Sequence, residues 1–396
     1  MTKNRLMSAA LSISVAFAAS SCGSASTGEN TPSATAVANG ADEIVGPFAV
    51  RNLATFDEPW AGAFIPGTPI LEITEKGGTI KAFDTASGEQ WDITGAPPVD
   101  YGGQGGLGDI AFLPSESSDT IGTRTIYLSW AEAGDNGTRG AAVGRGQLVC
   151  EEAETCAIRD LDVIWRQTPK VTGQGHYSHR IAISPDEQYL WISSGDRQKK
   201  TPAQDIANTL GTVVRLNLDG TPAAGNPFAS RGSPSDQIWS YGHRNMLGLA
   251  FDEDGRLWDL EHGPAGGDEL NLVARGANYG WPERSNGQNY NGSPIPNHRA
   301  DDGFSQPAIS WTPVIAPGNL IFYSGRMFGD WRGEAIISGL ATQSVIRVQI
   351  EGEKATEAAR YDMGARIRAV IEGPEGALYI LEDGDGGRLR QLTPAE

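Results

Sequence analysis

Arg180-Ile181-Ala182-Ile183-Ser184-Pro185-Asp186 leads into Tyr189-Leu190-Trp191-Ile192, and Thr212-Val213-Val214-Arg215-Leu216 follows. Each apolar run is too short for a helix and rich in the β-branched and aromatic residues that suit a pleated surface. The Ser-Pro-Asp between the first two is turn chemistry. Upstream, the same phrase stands at Ala61–Pro66 with Ile70–Ile73 and Gly78–Phe83, and at Asp109–Pro114 with Thr125–Leu128. Downstream it stands at Gly248–Asp252 with Arg256–Trp258 and Glu269–Leu272, and at Asn319–Tyr323 with Glu334–Ile337 and Val345–Val348. The last copy is Arg368–Ile371 with Ala377–Ile380 and Arg388–Leu392. Six copies between Thr55 and Pro394 average about 57 residues, near the roughly 50-residue period of the longer propeller repeats. No copy can bury both faces of a small sheet alone, whereas six around an axis can. The expectation is an all-β chain, a six-bladed β-propeller of four-stranded antiparallel blades. A β-sandwich with added domains leaves the full-length repeat unexplained. Long insertions interrupt the phrase at Gly195–Leu210 and Gly276–Thr312, where binding loops are expected.

Composition agrees. Glycine occurs 51 times and proline 23 times among 396 residues, which punctuates strands and disfavours long helices. Lys plus Arg is 31 and Asp plus Glu 49, a formal net charge of −18. Such a surface repels phosphate backbones, so no nucleic-acid partner is expected.

At the N-terminus, Lys3 and Arg5 precede the apolar stretch Leu6–Ala19, followed by Ser20, Ser21 and Cys22. The pattern reads as a lipoprotein-type signal peptide over 1–21, with Cys22 acylated as the new N-terminus. Residues 22–45 are Ser-, Thr-, Ala- and Gly-rich and read as a flexible tether. The propeller then spans 46–396. The protein is expected in the cell envelope, touching a membrane only through the lipid on Cys22. Gly23, in place of Asp, points to an outer membrane where the cell has two. The remaining cysteines, Cys150 and Cys156, flank Glu151–Thr155 between two strand-like runs and are expected to form a disulfide across a hairpin mouth.

Gly103-Gln104-Gly105-Gly106-Leu107-Gly108 matches a dinucleotide fingerprint in letters only, because a strand follows it where a helix is required. Five polar clusters fall at strand ends, where a propeller gathers them toward its axis: Gly103–Gly106, His176–Arg180, Tyr241–Asn245, Glu261–Glu269 and Arg366–Arg368. Taken singly, each has a bland reading as a turn or a solvated face. Together they suit an anionic, oxygen-rich ligand with a hard cation. Arg244, Arg366 and Arg368 offer forked donors, and Gln104 and Asn245 offer amides. Gly263 and Pro264 offer backbone carbonyls for Ca²⁺, and His176 is a base near neutral pH.

With these strings in order, and with Asn278-Tyr279-Gly280-Trp281-Pro282, the chain resembles the PQQ-dependent aldose sugar dehydrogenases of the soluble glucose dehydrogenase and glucose/sorbosone dehydrogenase family, from Gly46 to Thr393. The resemblance implies a six-bladed propeller with PQQ and Ca²⁺ as cofactors. His176 would be the catalytic base taking the proton from the anomeric hydroxyl. Arg244 would stabilise negative charge on the quinone, whose carbonyl Ca²⁺ polarises, and the product would be a lactone. Gln104, Arg244, Asn245, Arg366 and Arg368 match residues that hold PQQ or orient substrate, Asp383 a carboxylate near the arginine pair, and the Gly263 and Pro264 carbonyls the Ca²⁺ ligands. The partners implied are a small sugar and an external electron acceptor, a cytochrome or a quinone pool, for a monomer or dimer. Two positions depart from the family. Ala341 stands where a lysine often pairs with a cofactor carboxylate, with Gln343 nearby as a partial substitute. His179 replaces a small residue beside the base. Two other readings fit the same architecture: a calcium-dependent lactonase-like hydrolase, and a non-catalytic propeller binding glycans or a protein.

Overall fold

The computed structural model describes residues 43–152 and 154–395. The proposed signal peptide, the Cys22 lipid site and all but the end of the tether lie outside these residues. Among them are twenty-five strands in six antiparallel sheets. The first blade comprises Pro59–Phe64, Ile70–Glu75, Thr79–Asp84 and Gln90–Ile93. The second comprises Leu107–Phe112, Thr123–Ala133, Arg139–Cys150 and Cys156–Arg166, and the third Ser178–Ile183, Tyr189–Ser194, Thr212–Asn217 and Ile238–Tyr241. The fourth is Met246–Phe251, Leu257–Glu261, Asp268–Leu272 and Ile309–Trp311, and the fifth Pro317–Phe322, Ala335–Gly339, Ser344–Glu351 and Lys354–Asp362.

The sixth blade departs from the expected four strands. Ile367–Glu372, Leu378–Glu382 and Gly387–Pro394 are completed by the N-terminal Phe48–Phe56, and Glu43–Val45 adds a fifth strand. Phe48–Phe56 pairs with Gly387–Pro394 from Phe48 opposite Pro394 to Phe56 opposite Gly387, so early and late strands of the described residues close the ring in one sheet. Glu43–Val45 falls at the end of the stretch read as tether.

The core lies between blades. Trp60, Ile80, Ile110, Ile126 and Leu148 pack the first against the second, and Tyr127, Val143, Trp165, Ile181 and Ile192 the second against the third. Equivalent clusters fill the other interfaces, ending with Leu71, Ile73, Tyr379 and Leu381 between the sixth and the first. Apolar surface that a lone four-stranded sheet would leave wet is thereby buried, at roughly 25 cal/mol per Å². The Cys150–Cys156 disulfide is present and joins directly opposed residues of a hairpin. Among the described residues no helix is long and apolar enough to cross a membrane.

Candidate active site

Register brings the predicted residues to one end of the ring. Gln104 precedes the innermost strand of the second blade, His176 that of the third, Arg244 and Asn245 that of the fourth and Arg366 that of the sixth. Met246 lies opposite Glu261, so the turn carrying Gly263 and Pro264 sits beside Arg244 and Asn245. Ile367 lies opposite Glu382, which sets Asp383 beside Arg366 and Arg368. Ser178 lies opposite Ser194, which sets Asp196 beside His176.

Two neighbouring cavities share these residues. One, of about 350 Å³, is lined by His176, Asp196, Arg244, Pro264, Trp281 and Tyr290. The other, of about 310 Å³, is lined by Gln104, Asn245, Arg366, Arg368 and Asp383, with Lys76 and His179. They are joined through the backbone: the His176 N–H donates to Gln104 Oε1 at 2.6 Å, and Arg244 Nη1 donates to the carbonyl of His262, which borders the second cavity, at 2.9 Å.

His176 is buried, with Nδ1 2.7 Å from Asp196 Oδ1. Asp196 also accepts from Trp281 Nε1 at 2.8 Å and from the backbone N–H groups of Gln198 and Lys200. Those donors and His176 hold its carboxyl below the usual range although burial pushes the other way. Burial lowers the His176 pKa, Asp196 opposes the shift, and the Arg244 charge adds to it. With Nδ1–H directed at a carboxylate, Nε2 is the unprotonated nitrogen. His176, Ser178 and His179 all have positive φ, a conformation that costs non-glycine residues about 1–3 kcal/mol each. The Ser178 hydroxyl ties this segment to the fourth blade, donating to Asn245 Oδ1 and accepting from the Met246 N–H.

Arg244 Nη2 donates to the Tyr290 hydroxyl at 3.1 Å, while its Nε is buried with no partner among the described residues. An orphaned guanidinium N–H beside a cavity fits an anionic ligand. The carbonyl oxygens of Gly263 and Pro264 accept no hydrogen bond from the described residues, as suits oxygens left for a hard cation. Gly263 is held by its N–H to Asp268 Oδ1 at 2.8 Å, and a Cβ there would lie 2.2 Å from the Gly267 carbonyl. Asp383 stands beside the arginine pair, where the resemblance set it. Asp383 already bridges the pair, accepting from Arg366 Nε at 2.8 Å and from Arg368 Nη2 at 2.6 Å. Against the cost of burial, the two arginines keep its carboxyl below the usual range.

Sequence reasoning missed several groups. Asp196 and Tyr290 sit in the two long insertions, where no spacing rule assigns a contact. Lys76 supplies a cation to the wall, paired with Glu58 at 3.0 Å, whereas Ala341 is exposed in a turn and its neighbour Leu340 faces the cavity. Beneath the Gly263 turn, His243, Asp259 and Glu261 bring ligand atoms within 4.8 Å of one another, an arrangement able to hold a cation. Burial and repulsion from Glu261 raise the pKa values of Asp259 and Glu269 well above the ordinary range.

Residues 56–391 match the Glucose / Sorbosone dehydrogenase family. The chain is 36% identical over 343 residues to the aldose sugar dehydrogenase YliI of Escherichia coli K12, covering 85% of this chain and 90% of that one. The crystal structure of the soluble aldose sugar dehydrogenase from Escherichia coli in its apo-form aligns with a TM-score of 0.81 at 35% identity, covering 88% of this chain and all of that one. The PQQ-bound form of aldose sugar dehydrogenase from Streptomyces coelicolor aligns with a TM-score of 0.70 at 27% identity, covering 88% and 99%.

Proposed function

Because the chain belongs to the glucose/sorbosone dehydrogenase family of oxidoreductases, we propose that it oxidises an aldose at the anomeric carbon to the lactone, using PQQ and Ca²⁺. The observation that carries this reading is the His176–Asp196 pair opening on the same cavity as Arg244 and Pro264. When bound, the quinone would supply a two-electron acceptor and Ca²⁺ a Lewis acid. Arg366, Arg368, Lys76, Gln104 and Asn245 would hold the quinone, and the Gly263 and Pro264 carbonyls the cation.

Asp196 fixes the imidazole so that Nε2 accepts the proton of the sugar's anomeric hydroxyl. Arg244 sets its unpaired Nε–H and its positive charge where negative charge develops. Trp281 and Tyr290 wall the cavity and limit water around the base. Electrons leave to an external acceptor, a cytochrome or a quinone pool, with the protein tethered at the envelope through Cys22. A lactonase-like hydrolase acting on a neutral ring gains nothing from the cations of Lys76, Arg366 and Arg368, which outnumber the carboxylates of Glu58 and Asp383 on that wall.

Reconstitution tests the reading. Purified protein stripped of metal is loaded with PQQ and Ca²⁺, then assayed for dye reduction against a panel of aldoses. The expected result is saturable quinone binding and aldose-dependent dye reduction. Absence of both overturns it.

A further inference from the structure

We infer that His179 is a ligand-binding residue of the hub cavity, a neutral imidazole that donates Nε2–H to a carboxylate or carbonyl oxygen of the bound quinone. The inference rests on the function proposed above. Its geometry begins with Ser129, whose Oγ accepts the Asp109 N–H at 2.8 Å and lies 2.8 Å from His179 Nδ1. No other acceptor among the described residues meets that hydroxyl; in the tautomer in which it donates to Nδ1, the one the inference takes, the ring proton resides on Nε2. Nε2 makes no hydrogen bond with any described residue, and the ring borders the cavity shared by Gln104, Asn245, Lys76 and Arg368.

Three residues are committed to holding this ring. Trp60 stacks on it with centroids 5.0 Å apart and planes 13° from parallel. Ser129 fixes its rotation. Gly108 gives it room, since a Cβ at that position would stand 2.0 Å from His179 Cε1. An apolar side chain would fill the same volume without the cost of desolvating an imidazole. A fixed donor with nothing to donate to is explained when a ligand supplies the acceptor. Burial, with the Arg180 charge beside it, lowers the His179 pKa to about 3, so the ring stays neutral across the working range.

The test is PQQ binding to the metal-stripped full-length protein, with and without added Ca²⁺, followed by equilibrium dialysis. His179→Phe keeps the stack on Trp60 and removes the donor; affinity is expected to fall about tenfold or more. His179→Gln restores an N–H and is expected to recover part of that loss. In the wild-type protein, ¹⁵N NMR of the His179 ring is expected to report a protonated Nε2 that shifts on PQQ addition. Wild-type affinity in His179→Phe, or an Nε2 signal unmoved by PQQ, overturns this inference and leaves the dehydrogenase reading standing. Failure of the wild-type protein to bind PQQ at all overturns both.

Discussion

Asp196 grips His176 at Nδ1, its Oδ1 2.7 Å away, while Oδ2 receives the Trp281 indole N–H. In the proposed reaction the carboxylate is a positioning residue, because it would act only through the imidazole. Asp196→Asn keeps the shape and loses the charge that selects the tautomer. We expect kcat to fall by roughly two to four orders of magnitude with PQQ affinity unchanged. Equal losses of binding and turnover would recast Asp196 as part of the cofactor site.

The pH profile follows from the same pair. Burial and Arg244 lower the His176 pKa, and the proposed reaction needs its imidazole neutral. The acid limb of kcat/KM is therefore expected below pH 6.5. Removing the Arg244 charge (Arg244→Gln) takes away a lowering influence and moves the limb to higher pH. Removing the Asp196 charge moves it to lower pH. A limb that stays in place in both variants would assign the titration to another group.

Stability at the hub is expected to hinge on Arg180. Its Nη1 pairs with Asp109 at 2.9 Å, its Nε donates to the Leu247 carbonyl and its Nη2 to that of Gly318, while its guanidinium lies 3.9 Å from the Trp60 ring centre. One buried side chain thus links four blades beyond its own. Asp109→Ala leaves that charge uncompensated and is expected to cost about 3–5 kcal/mol in urea unfolding. Asp109→Leu with Arg180→Met removes both charges together and is expected to recover much of the loss.

Glu72 carries the opposite problem. It is wholly buried in the first blade, and neither carboxyl oxygen has a partner among the described residues. Burial raises its pKa to about 8. The folded protein holds the proton that the unfolded chain releases near pH 4.5, so stability is full below that pH and declines as pH rises toward 8. The decline from this one group is up to about 5 kcal/mol. Glu72→Met removes the titration, and the stability difference between variant and wild type is expected to grow from pH 4.5 to 8. A difference independent of pH would mean that the carboxyl is ionised in the fold.

The ring was legible because each blade repeats one hydrophobic phrase, as at Arg180–Leu216, and because periodic burial survives without knowledge of contacts. The outermost strands were less so. Ile309–Trp311 is three residues long, and Phe48–Phe56 completes a blade whose three other blade strands lie more than 300 residues away. At the site, His176, Arg244, Arg366 and Arg368 were legible as charged or titratable groups at strand ends. Asp196 was not, because one carboxylate in a loop rich in polar residues carries no mark of its partner. The Arg366–Arg368 alternation signalled an anion, and Asp383, set beside the pair by the resemblance, is in contact with both. Lys76 was hidden in an ordinary Glu-Lys-Gly-Gly turn.

Sewing the first strand to the last has a consequence for biogenesis. Until Gly387–Pro394 has been synthesised, Phe48–Phe56 has no neighbour on that side, and the growing protein carries an open β-edge able to recruit strangers. Even a modest C-terminal truncation would unseat both Gly387–Pro394 and its partner Phe48–Phe56. A circular permutant with fused termini and a new opening in an interblade loop would begin and end elsewhere while retaining every blade.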